Sequence, residues 1–173
     1  DYAGLPVDIN SIADIGFPII EDAAHAVYSI HKGSPCGALA DVSIYSFDAV
    51  KNLTVGEGGG ITSKNKELIE RAKVLRYCGI GKSGFDAAVS GGKGKIRWWE
   101  YNITEPFIKM LPTNIAGAIG LAQLDKIDEL QAIRKDIWNT YQTEFADVGW
   151  IITPVEAEPG DRHSYFTYSI RVP

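Results

Sequence analysis

The sequence predicts an α/β protein built on a mostly parallel sheet with helices. Three observations carry this reading. Short apolar runs alternate with helix-periodic stretches along the chain. Two of those runs, PIIED at 18–22 and VSIYS at 42–46, end in an acid and a hydroxyl, as strands do where a doubly wound sheet binds its ligand. The 173 residues, 45% of them hydrophobic, suffice for about one domain, or one and a fraction, with a real core.

Each element has its own justification. Ile9, Ile12 and Ile15 recur at helical spacing, which predicts a helix over 8–15. PIIED is a short strand. KGSP at 32–35 is a turn. Val42 to Ser46 forms a second strand, and Gly59 to Thr62 begins a third. Lys66 to Tyr77 places Leu68, Ile69, Ala72 and Leu75 on one helical face. The stretch GIGKSGFDAAVSGGKGK at 79–95 is glycine-dense and reads as a flexible surface loop. Thr113 is placed to cap a helix from Asn114, in which Gly117 and Gly120 allow close helix approach. A further amphipathic helix carries Leu130, Ile133, Ile137, Tyr141 and Phe145 on one stripe. SYFTYSIRV at 164–172 reads as a strand. The chain has no repeat and no low-complexity segment.

Composition excludes several classes of partner. The net charge is −5 with no basic block, which argues against nucleic acid and anionic membrane surfaces. No apolar run approaches the roughly 20 residues of a membrane span, and no signal-peptide pattern is present. Cys36 and Cys78 are far apart and lack a CxxC or CxxH pattern, so a reducing, cytoplasmic setting is expected. The chain starts at Asp1 and stops at Pro173 directly after an apolar run, and it reads as a segment of a longer protein.

The chemistry centres on Lys51 in SFDAVKNLTVGEGGG, residues 46–60. Lysine is costly to bury unless it is paired or neutral, yet this one follows an apolar strand. Asp22 and Ser46 stand at strand ends, and Lys51 comes five residues after Ser46. An acid, a hydroxyl and a lysine so placed suit pyridoxal phosphate. The lysine would form a Schiff base with the aldehyde, the acid would keep the ring nitrogen protonated, and the hydroxyl would bond the phosphate. Every residue also has an ordinary reading. Asp22 serves as a turn cap, Ser46 as a turn residue and Lys51 as a solvated loop lysine. GEGGG lacks the GxxxxGK[ST] spacing of a phosphate loop and reads as a turn into the next strand. His25, His31 and Cys36 match no standard zinc spacing, so no metal is expected. The residues alone leave an α/β domain with a candidate lysine-dependent site.

Longer strings go further. IEDAAHAV (20–27), YSFDAVKNLTVGEGGGIT (45–62) and RAKVLRYCGIG (71–81) resemble the DegT/DnrJ/EryC1 sugar aminotransferases, which use pyridoxal phosphate. So do DYAGLPVDI at the start and NIAGAIGLAQLDKIDEL at 114–130. The likeness covers nearly the whole chain in order. It implies part of an aspartate-aminotransferase-type (fold type I) architecture, assembled as a homodimer. Residues 1–125 would be the C-terminal part of the large cofactor domain, and 126–173 the beginning of the small C-terminal domain. It implies that Lys51 is the Schiff-base lysine and proton shuttle, that Asp22 holds the pyridine nitrogen, that His25 contacts the ring near its hydroxyl, and that Ser46 holds the phosphate.

Departures accompany the likeness. Family members are about twice this length, so an N-terminal half with further phosphate donors would lie outside these residues, and the segment alone is expected to be inactive. FIKMLPTNI places Leu111 where relatives carry an asparagine that reaches across the dimer to the phosphate. Asp1 stands where relatives often carry histidine. Some relatives replace the lysine by histidine and act as dehydratases; Lys51 favours transamination. The implied reaction moves an amino group, typically from glutamate, to a keto group of a nucleotide-linked sugar. The rivals are another pyridoxal-phosphate reaction on the same scaffold and a non-catalytic sugar-nucleotide-binding or oligomerising remnant.

Overall fold

The computed structural model describes residues 1–83, 97 and 99–173, with the backbone alone at 82 and 83. The expected loop at 79–95 lies largely outside the described residues; its first part forms a strand, given below. The chain divides into two units, residues 1–64 with 113–173, and residues 65–112.

The first unit is organised by a three-stranded sheet in the order β1 (Ile20–Asp22), β4 (Val42–Ser46), β5 (Gly59–Thr62). β1 and β4 are parallel, with Ile20 opposite Val42 and Asp22 opposite Ile44. β4 and β5 are antiparallel, with Ile44 opposite Ile61 and Ser46 opposite Gly59. The α/β class therefore holds, but the described sheet is mixed rather than mostly parallel. The reason lies in the connection. No helix intervenes between Ser46 and Gly59, so the chain doubles back instead of crossing over. Between β1 and β4 the chain makes a small hairpin, β2 (Ile30–His31) with β3 (Ser34–Pro35). Lys32 and Gly33 turn it, both at positive φ.

Strand alternation splits this sheet into two unlike faces. One face carries Glu21, Ser43 and Tyr45. Glu21 is 5% exposed. Its carboxylate accepts from the Ser43 hydroxyl at 2.8 Å and from the Gly37 N–H at 2.8 Å. Tyr45 packs on the small core of Ala23, Ala26 and Cys36. The other face carries Asp22 and Ser46 together with Ile20, Ile44 and Ile61, which are 68%, 43% and 52% exposed.

The helices follow their caps. Residues Ile9–Ile15 form a 3-10 helix rather than an α-helix. Asp8 caps its start and Gly16, at positive φ, ends it. Asn114–Leu124 (α2) begins where its cap predicts, with the Thr113 side chain accepting from the Ala116 N–H at 3.1 Å. In α2, a Cβ at Gly120 would press on Val55, whereas Gly117 faces open space, so one of the two glycines marks a close approach. Ile127–Phe145 (α3) buries Gln131 and Trp138. Those two residues are seven apart on one stripe, offset from the apolar stripe that periodicity picks out; Ile133, Ile137 and Tyr141 on the latter stay exposed. Trp138 draws the packing to itself through its neighbours after α3. Its indole N–H donates to Glu156 at 2.7 Å, and its ring meets those of His163, Tyr165 and Tyr168. Residues 164–172 form no strand. Their backbone groups are taken up by Gly4, Ala3 and Ile152 instead of by a ladder.

In the second unit, α1 (Lys66–Leu75) is capped by Asn65, whose side chain accepts from the Leu68 N–H at 3.2 Å. β6 (Ile80–Ser83) pairs antiparallel with β7 (Tyr101–Ile103). Arg71 pairs with Glu105 at 2.9 Å. Leu111 is exposed.

Candidate functional site

Asp22 closes β1, and its Oδ1 accepts from the Ala24 N–H at 3.0 Å. That bond fixes the carboxylate at the strand end as an acceptor. The Ala23 N–H donates to the Ile44 carbonyl at 2.9 Å, which extends the parallel ladder by one step before the chain turns toward His25. Asp22 thus faces the side of the sheet that Ser46 shares, and Glu21 faces the opposite side.

His25 sits where three segments meet. Its Nδ1 accepts from the Ala3 N–H at 3.3 Å. An accepting Nδ1 leaves the proton of the neutral ring on Nε2. The ring stacks on Phe166 with centroids 4.0 Å apart and planes 19° off parallel. Burial, and next the nearby Lys51 ammonium, hold His25 below the usual histidine range, with Asp22 pulling the other way. Lys51 and Asp22 therefore both act on the His25 ring.

Lys51 is delivered by a tightly bonded loop between β4 and β5. The Lys51 N–H donates to Asp48 O at 3.0 Å, and the Asp48 N–H donates to the Ser46 hydroxyl at 3.4 Å. The Val55 N–H returns to Phe47 O and the Phe47 N–H to Gly58 O, both at 2.9 Å. Asn52 anchors the loop from within. It is 5% exposed, and its Nδ2 donates to Ser164 O at 2.6 Å. Lys51 itself is half-buried, with Nζ 4.8 Å from the centroid of the Phe166 ring. GEGGG does what its spacing implies. Gly56 turns at φ 88°, and Gly59 and Gly60 enter β5.

The expected residues fall into two pairs. Asp22 and Ser46 share a face, and Lys51 and His25 both approach one ring, that of Phe166. Sequence reasoning missed Phe166, Ser164 and Asn52. Ser164 is fully buried; its hydroxyl donates to His25 O at 2.7 Å, and its N–H donates to Gly4 O at 3.1 Å. The string HSYFTY carries no periodic signal for such a role, since it reads as a strand.

His31 and Cys36 stand apart from this group. His31 lies between Asp161, at 2.9 Å from Nδ1, and Asp8, at 3.2 Å from Nε2. Among the described residues, the grouping with ligand spacing is Asp1, Glu21 and Cys36. The Cys36 thiol there is pushed up to about 12 by burial and then by Glu21, so it is not a thiolate.

A family model described as the DegT/DnrJ/EryC1/StrS aminotransferase family matches residues 1–173. The chain belongs to this family. It is 34% identical over 175 residues to the spore coat polysaccharide biosynthesis protein SpsC of Bacillus subtilis, covering 99% of this chain and 43% of that protein. It is 33% identical to the dTDP-4-dehydro-2,3,6-trideoxy-D-glucose 4-aminotransferase of Saccharopolyspora spinosa, covering 99% of this chain and 45% of that one. Among solved structures it resembles the aminotransferase TlmJ from Streptoalloteichus hindustanus, with TM-score 0.86, 31% identity, and coverage of 99% of this chain and 44% of the other. The chain spans less than half the length of the curated relatives it matches. Its α/β architecture is that of the fold type I aminotransferases, and the family's aminotransferases depend on pyridoxal phosphate.

The donor set fits that cofactor. It offers a carboxylate and a hydroxyl on one sheet face, and an amine and an imidazole, its Nε2 carrying the proton in the neutral ring, against one aromatic side chain. No helix among the described residues is long and apolar enough to cross a membrane.

Proposed function

We propose that the protein is a pyridoxal-phosphate-dependent aminotransferase that moves an amino group, from glutamate, to a keto group of a nucleotide-linked sugar. The observations that support this are the convergence of Lys51 and His25 on one ring and the shared sheet face of Asp22 and Ser46. Family membership supports the reaction class. The nucleotide-linked sugar is supported by the name of the Saccharopolyspora relative.

When bound, pyridoxal phosphate supplies an aldehyde and an electron-withdrawing ring. The chain's residues take up the roles around it. Lys51 would hold the aldehyde through its ε-amine, and the same nitrogen would accept and return the proton. Asp22 would hold the ring nitrogen, its negative charge favouring the protonated ring. His25, whose Nδ1 is occupied by the Ala3 N–H, would have Nε2–H free to donate to the ring hydroxyl. Ser46 would donate its hydroxyl to the phosphate. We read residues 1–125 as part of the large cofactor domain and 126–173 as the beginning of the small one, in a homodimer. The free cysteines Cys36 and Cys78 suit a cytoplasmic setting.

Replacing Lys51 by Ala in the full-length protein should abolish turnover of a nucleotide-linked ketosugar with glutamate while leaving the circular dichroism spectrum unchanged. Full activity in that variant would overturn the assignment.

A further inference from the structure

We infer that Phe166 is a positioning residue that sets where the Lys51 amine and the His25 ring stand relative to each other. It rests on the proposed function only for its consequence in catalysis; its geometry stands without any cofactor.

Phe166 touches both groups. The His25 ring stacks on it at 4.0 Å, and the Lys51 Nζ lies over it at 4.8 Å from the centroid. Stacked rings gain from the offset overlap of their π-systems, and an ammonium over an aromatic face is held by the ring quadrupole. One side chain therefore fixes two site residues that arise 26 positions apart, on different loops.

The placement of Phe166 is itself over-determined. Its N–H donates to Ala3 O at 2.9 Å, and its carbonyl accepts from Arg134 at 3.3 Å. The preceding residue, Tyr165, is held at φ 49°, a left-handed conformation that costs a residue with a large side chain. Two bonds hold that turn: the Tyr165 N–H donates to His163 Nδ1 at 2.7 Å, and Arg134 reaches Tyr165 O at 3.5 Å. Ala3, the donor to His25 and the acceptor from Phe166, is also left-handed at φ 60°. Strain at two residues flanking one contact, each locked by several bonds, marks a position that the fold maintains at a cost. The ring of Phe166 is what those two turns deliver.

The test uses the full-length protein without cofactor. Limited acylation with acetic anhydride, read by peptide mass spectrometry, gives the reactivity of Lys51 against the exposed Lys126 and Lys135 as internal standards. Phe166→Leu keeps apolar bulk and removes the π-face. Lys51 should then acylate about two- to fivefold faster, the factor that corresponds to an exposed cation–π contact. Phe166→Trp restores a π-face and should return the rate to the wild-type value, whereas a merely structural role would leave Leu and Trp alike. The wild type supplies a check that needs no variant: proton resonances of the Lys51 ε-methylene and the His25 ring should lie upfield through the Phe166 ring current. An unchanged Lys51 rate in Phe166→Leu, a Trp variant that behaves like Leu, or unshifted wild-type resonances would overturn the inference. Because no cofactor is present, these outcomes are independent of whether Lys51 carries pyridoxal phosphate.

Discussion

Adjacent residues on β1 do opposite work. Asp22 and Glu21 are one peptide apart, and the pleat sends them to opposite faces. Glu21 is buried and satisfied by Ser43 and Gly37. Glu21→Ala removes the acceptor for both and should cost about 1–3 kcal/mol, seen as a lower urea midpoint. Asp22→Asn keeps shape and loses charge at the strand end. It should leave the urea midpoint unchanged and lower transamination roughly 100-fold or more, as the loss of a placed charge at a reacting group does. If Glu21→Gln is the change that removes activity, the faces are assigned wrongly. His163 is a second residue with a definite sign. Burial lowers its pKa from 6.5 to about 4, with Glu156 acting the opposite way. A depressed histidine is neutral in the fold and protonates more readily in the unfolded chain. Stability is therefore unaffected above pH 6.5 and falls as pH drops from 6.5 toward about 4. His163→Asn should flatten that part of a pH series of thermal melts; an unaltered slope would show that other groups set it.

At the scale of elements, the loop between β4 and β5 and the segment after α3 are joined by Asn52 and Ser164. Asn52→Ala leaves the buried Ser164 carbonyl without its donor. This should cost about 1–3 kcal/mol and speed proteolytic nicking within 47–58, measured by limited digestion; an unchanged nicking rate would contradict the anchoring role. The strands at 20–22, 42–46 and 59–62 and the cap at Thr113 were legible because local rules fix them: short apolar runs and a cap that satisfies a helix's first N–H. Other elements were not. The direction of β5 depends on whether a helix fills the connection, which an apolar run does not reveal. The buried stripe of α3 was missed because Trp138 is selected by neighbours distant in sequence, Glu156 and the aromatics of 163–168, rather than by periodicity. The segment 164–172 has strand composition but spends its backbone bonds on Ala3, Gly4 and Ile152. In the candidate site, Lys51, Asp22, His25 and Ser46 were legible as residue types at strand ends and in family-like strings. Phe166 was not, since His25 and Lys51, which its ring meets, are more than a hundred positions away.

Among the described residues of the first unit, Ile20, Ile44 and Ile61 are exposed on the sheet face that carries Asp22 and Ser46. Exposed apolar area of this kind drives association. The 173-residue chain should bind 1-anilinonaphthalene-8-sulfonate and sediment as more than a monomer, and the triple variant Ile20→Thr, Ile44→Thr, Ile61→Thr should reduce both; a monodisperse wild-type monomer that binds no dye would contradict this. The face with the exposed isoleucines is also the face that carries the Asp22 carboxylate and the Ser46 hydroxyl. The account turns on Lys51. Incubating the full-length protein with pyridoxal phosphate, reducing it with borohydride and mapping the labelled peptide tests that directly. The prediction is one pyridoxyl group, on the peptide that contains Lys51. Label spread over surface lysines, or fixed at another lysine, would contradict it.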